Sequence, residues 1–144
     1  MKNITWDDLV FNPKEYDIQE VYSDWTWLLN GQIKPLMISQ FGDMFFQRKD
    51  GKVCFLDMME GEIVDICPSE ESFIEFINQK ENIEDYLFSD LIFSLKNSGK
   101  IPNKDECFIF TIPPVLGGQI SVDNVSIMSF KVVVSLAGQL HRQI

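Results

Sequence analysis

Between Leu36 and Cys67, short apolar runs alternate with short polar breaks, and the breaks carry turn-forming residues. Leu36-Met37-Ile38-Ser39-Gln40-Phe41 is followed by Gly42-Asp43, and Met44-Phe45-Phe46-Gln47-Arg48-Lys49 by Asp50-Gly51. Lys52-Val53-Cys54-Phe55-Leu56-Asp57 and Glu62-Ile63-Val64-Asp65-Ile66-Cys67 flank a second break at Glu60-Gly61. Asp-Gly between two strand-like runs is a strong hairpin signal, because both residues tolerate positive φ. The breaks are too short for crossover helices, so the pattern predicts an antiparallel meander over 36–67. Beyond Pro68 the period changes. Ser69 suits a helix N-cap, Glu70 and Glu71 suit the first turn, and Phe73, Phe76 and Ile77 recur at helical spacing. Leu87, Leu91 and Leu95 predict a second helix over about 83–97, ended by Gly99, so that 69–99 reads as a helix pair.

After Pro102 the strand pattern returns. Glu106 to Ile112 is strand-like until Pro113-Pro114 interrupts any ladder. Val115-Leu116-Gly117-Gly118 then predicts a structured loop, since a rigid Pro-Pro beside a Gly-Gly pair specifies a fixed path. Asn124 to Met128 reads as another strand. Residues 130–140 are readable as strand or helix, and the β-branched Val132-Val133-Val134 tips the balance to strand. Residues 1–35, rich in Trp, Tyr and acids, read as a helical or irregular segment. With no internal repeat and no linker, the chain predicts one α+β domain over 1–144: an antiparallel meander packed against a few helices, with 106–144 supplying C-terminal strands and the Pro-Pro/Gly-Gly loop.

Composition supports one core: 45% of the 144 residues are hydrophobic and 12 are Phe, which disordered chains are not. Met1-Lys2-Asn3-Ile4-Thr5-Trp6-Asp7-Asp8 lacks the apolar core of a signal peptide, so a cytoplasmic protein is expected. Cys54, Cys67 and Cys107 each sit among apolar neighbours and form no CxxC pair, which predicts buried thiols and no metal site. The net charge of −10 disfavours nucleic acid and anionic lipid as partners and favours a basic protein.

Candidate chemistry is sparse. The single His141 lies near the C-terminus, and Ser-His-Asp or Cys-His catalysis would depend on it alone. Asp57 and Asp65 flank the second hairpin and could face each other; Asp7-Asp8 and Glu70-Glu71 are adjacent acids, and solvated surface charge is the ordinary role of all of them. Asp57-Met58-Met59-Glu60-Gly61 does not fit a calcium loop, and Gly117-Gly118 lacks the lysine of a phosphate cradle. No catalytic residue, cofactor or metal is therefore expected. Gly42, Asp43, Gly51, Gly117, Gly118 and Asn124 are assigned as fold-specifying turn and loop residues.

Phe41-Gly42-Asp43, Gly51-Lys52-Val53 with Leu56-Asp57, Leu116-Gly117-Gly118, Asp123-Asn124-Val125 and Gln139-Leu140, in this order and spacing, resemble the bacterial immunity proteins that neutralise a type VI secretion DNase effector. That family carries a GAD-related segment followed by a C-terminal immunity domain formerly of unknown function, and the resemblance covers roughly residues 20–142. It implies a non-enzymatic antitoxin that binds a cognate toxin, a basic nuclease, in the cytoplasm of the producing cell. It implies no partner-binding residues. An intracellular protein–protein interaction module without a toxin partner is the alternative; a hydrolase using Asp57 and Asp65 is a third.

Overall fold

The computed structural model describes residues 4–144; of the expected N-terminal segment, Met1, Lys2 and Asn3 lie outside the described residues. The chain folds as a single α+β domain with two antiparallel sheets. In the larger sheet, β1 (Val10–Phe11), β2 (Ile33–Ser39), β3 (Met44–Arg48), β4 (Val53–Asp57) and β5 (Glu62–Cys67) lie in sequence order. The smaller sheet pairs β6 (Glu106–Phe110) with β7 (Val125–Ser129).

Alternation along β3 and β4 divides the core. Phe45, Val53 and Phe55 point into one apolar cluster, while Met44, Phe46, Cys54 and Leu56 point into another. Both faces of these two strands are covered, which is why they read as near-continuous apolar runs. The first cluster packs against Phe73 and Ile77 of α3 (Glu70–Ile77), Leu87 of α4 (Lys80–Leu87), and Ile92 and Leu95 of α5 (Ser89–Asn97). The second packs against Val21, Tyr22 and Trp25 from the N-terminal segment and Phe130, Val133 and Val134 from α6 (Phe130–Gln143). Phe108 and Phe110 join the first cluster and Cys107 the second, so β6 stitches the two together.

Four sequence expectations are corrected. Residues 130–140 are helix, not strand. Phe130, Val133 and Val134 are buried and Ala137 packs beside them, and this helical spacing outweighs the β propensity of the three valines. The segment 106–144 thus ends in a helix. The expected helix pair over 69–99 is three helices, because Phe88 breaks the second one with left-handed angles (φ 55°, ψ 46°). The break turns the Phe88 ring onto Phe41 and Phe110, with centroids 5.2 and 6.2 Å away. Glu84 Oε1 then accepts from Asp90 N at 2.7 Å and starts the next helix. The meander begins at Ile33, before the expected 36, and its register slips between Pro35 and Met37, where proline brings no N–H to the ladder. Finally, the N-terminal segment is not only helical or irregular. After α1 (Trp6–Leu9), β1 adds a strand by pairing Val10 with Ser39 and Phe11 with Ile38, and α2 (Ile18–Val21) follows. A two-residue strand carries no readable alternation.

Among the described residues, no helix is long and apolar enough to cross a membrane.

Candidate functional site

The turn between β2 and β3 and the turn between β4 and β5 lie at the same end of the sheet, and Asp43 joins them. Its Oδ1 accepts from Met58 N at 2.7 Å, and its Oδ2 accepts from Ser39 Oγ at 2.8 Å. Ser39 Oγ in turn accepts from the backbone N–H groups of Phe41 and Asp43, both at 3.1 Å. Tyr22 donates its hydroxyl to Gly42 O at 2.7 Å. Burial, with the nearby Asp57 charge, pushes the Asp43 carboxyl up to about 7 against the bonds it accepts. No lysine or arginine among the described residues forms an ion pair with it.

The 111–124 loop is tied down by one side chain. Asn124 Oδ1 accepts from Ile112 N at 2.9 Å, and Nδ2 donates to Ile112 O at 2.9 Å and to Gln119 O at 2.8 Å. The loop closes on Pro113 O, which accepts from Leu116 N at 2.8 Å and Gly118 N at 3.1 Å. Gly117 has φ +97°, a conformation that costs any residue with a Cβ. A Cβ on Gly118 would lie 1.7 Å from Ile112 O, inside the backbone itself.

Between this loop, α6 and the β4–β5 turn runs a groove of about 300 Å³. Phe41, Phe88, Phe108 and Phe110 line it from the core, Pro113 and Pro114 from the loop, and Leu136, Leu140 and His141 from the helix. Asp43 also lines it, and among the described residues no lysine or arginine does. Asp43, Asn124 and the two loop glycines therefore shape one region. Gly42 sits against Val134 of α6, where a Cβ would come within 3.2 Å of Cγ2. Gly51 is apart, in the turn at the other end of β3, where Asp50 Oδ1 accepts from Lys52 N at 3.0 Å.

The candidate catalytic groups are engaged elsewhere. Asp57 stands opposite Glu62, and Asp65 stands opposite Cys54, so the register keeps the two acids from facing each other. Asp57 Oδ1 accepts from Met59 N at 2.8 Å and Glu60 N at 3.1 Å, capping the turn. Asp65 lies 3.6 Å from Lys52 Nζ. Asp8 meets Lys96 at 3.1 Å and Glu70 meets Lys34 at 3.0 Å. Burial raises the Asp8 carboxyl, but bonds from Thr5 and the Lys96 charge outweigh it and leave the group below its ordinary value. Cys54 and Cys107 are buried free thiols and Cys67 is half-buried; burial pushes the Cys107 thiol well up. Among the described residues, no three of His, Cys, Asp and Glu gather as a metal would need.

Sequence reasoning missed how the C-terminal helix is seated. His141 Nε2 lies 2.8 Å from Met58 O, and a Cβ on Gly61 would come within 2.3 Å of its ring. On the other side of α6, Trp25 donates from Nε1 to Val134 O at 2.9 Å, and Ser135 donates to Asp24. Gly138 permits this approach, since a Cβ there would meet Asp24 O at 2.6 Å. The signal was present: from Phe130, helical spacing places Val133, Val134, Ala137 and His141 on one face and the small Ser135 and Gly138 beside it.

Comparison with known proteins follows this geometry. No curated protein matches the chain in sequence. The crystal structure of Atu4351 from Agrobacterium tumefaciens is similar in fold, with a TM-score of 0.58 and 22% sequence identity over 90% of this chain. The similarity covers 65% of that protein's length, so this chain spans less than two thirds of it. The family model described as T6SS immunity protein Tdi1, C-terminal, matches residues 68–141, just over half of the chain, from the start of the helical layer through the tethered loop to His141. The chain belongs to this family of type VI secretion immunity proteins.

Proposed function

We propose that this protein acts without catalysis, binding a cognate type VI toxin in the cytoplasm and blocking it, and that the toxin is a nuclease with a basic surface. The family match over 68–141 carries the reading. The nuclease assignment rests on charge. A nuclease groove must be positive to hold phosphates, and this chain carries 22 acidic against 12 basic side chains. Opposite charge steers encounter and raises the association rate, which suits an inhibitor that must act before the toxin reaches DNA. The lack of catalysis is supported by the engaged states of His141, Asp57 and Asp65. Five of the six turn and loop residues, all but Gly51, then serve to hold a recognition surface in shape.

Co-expression tests this. A host carrying the toxin encoded beside this gene is expected to die without the protein and to grow with it, and the two should co-purify. Growth arrest despite abundant, folded protein would remove the reading.

A further inference from the structure

The groove beside the tethered loop has three properties that its role in the fold does not require. Exposed aliphatic side chains lie in its wall and next to the wall residues in the chain: Leu136, which lines it, is 45% exposed, and Ile112 and Leu116 are 56% and 57% exposed. Ile112 and Leu116 flank the two groove-lining prolines in the chain, on backbone fixed by Asn124 and closed onto Pro113 O. Exposed large apolar side chains held on rigid backbone lose little entropy when a partner covers them. The third property is charge. Asp43 is only 4% exposed, lines the groove, and has hydrogen bonds but no cationic partner among the described residues. A groove between Asp8, Lys96 and Lys100 differs. There acids and lysines are mixed: Lys96 meets Asp8, and Lys100 donates to the carbonyls of Val122 and Val125.

An apolar groove holding one buried acidic side chain, with no lysine or arginine among the described residues that line it, is complementary to an apolar segment bearing a cation. We propose that the toxin docks here, placing an apolar side chain between the Pro113-Pro114 loop and Leu136 of α6 and a neighbouring lysine or arginine against Asp43. This deepens the proposed function and rests on it. The exposed Ile112 and Leu116 on the loop that carries the lining prolines fit a protein segment better than a small molecule, which would leave both bare. A second copy of this chain is disfavoured, since each copy carries −10.

The test measures binding of catalytically inactivated toxin to wild type and to Leu136→Lys, Leu116→Ser and Asp43→Asn, each first checked for an unchanged circular dichroism spectrum. Ile74→Ser, an exposed substitution on α3, is the control. Leu136→Lys is expected to weaken binding by at least about 30-fold and Leu116→Ser by about tenfold, the range of a central anchor and a flanking contact, with Ile74→Ser unchanged. Asp43→Asn is expected to weaken binding and to flatten its salt dependence. If Asp43→Asn misfolds, the two exposed variants decide alone. Toxin binding that survives Leu136→Lys and Leu116→Ser overturns the docking site while leaving the immunity function standing. No binding by wild type overturns both. A wild-type dimer that Leu136→Lys dissociates assigns the groove to a second copy and overturns the proposal.

Discussion

Gly118 and Asp43 show how single positions shape this surface. Any side chain at Gly118 must displace Ile112 O, the carbonyl that Asn124 also holds. Gly118→Val, and Gly117→Val through its positive φ, are expected to lower stability by about 1–3 kcal/mol in urea unfolding. Unchanged midpoints in both would contradict a fixed loop. Asp43 predicts an unusual pH dependence. Its carboxyl titrates near 3.8 unfolded and is pushed up to about 7 in the folded protein, so the folded state binds its proton more tightly. Stability from this group is present below about pH 4, falls as pH rises through the window, and stays low above about 7, with a full effect on the order of 4 kcal/mol. Subtracting the curve of Asp43→Asn from that of wild type isolates the effect; a difference that is flat between pH 4 and pH 7 would refute it.

At the scale of elements, the C-terminal helix is the part on which the groove most depends. It is held from both sides, by Trp25 and Asp24 on one flank and by the Met58–Gly61 turn on the other. Gly138→Val, which forces a side chain against Asp24 O, is expected to cost about 1–3 kcal/mol and to shift the fluorescence of the buried Trp25. A variant with native melting and native emission would show that the helix is not seated this way. The same helix marks the limit of what the sequence made legible. The meander was readable because Asp50-Gly51 and Glu60-Gly61 are local turn chemistry, and α3 because Ser69 and its acids are local capping chemistry. Phe88 was not readable: its left-handed angles are imposed by the ring's fit against Phe41 and Phe110, a tertiary effect on a residue with no turn signal. Residues 130–140 carried two conflicting local signals, and only the packing against Trp25 and Phe46 in the second cluster decides between them. The groove shares this property. Gly118 and Asn124 were visible as loop residues, but nothing local joins them to Asp43 or Leu136.

For the whole molecule, the acid surplus and the covered central strands work together. Both faces of β3 and β4 are buried while β5 keeps exposed positions, so the central strands offer no recognition surface, and the loops, helix surfaces and groove lie in a field of net charge −10. Association with a basic toxin should therefore be fast at low ionic strength. It should slow by about tenfold or more as salt screens the exposed acids, while dissociation changes little; a salt-independent association rate in stopped-flow would remove the steering argument. The most direct measurement titrates this protein into active toxin and follows DNA cleavage. Neutralisation by binding predicts cleavage that falls in proportion to added protein and vanishes near equivalence, with the toxin recovered intact in the complex. Undiminished cleavage in excess protein, or toxin that emerges chemically altered, would contradict the account.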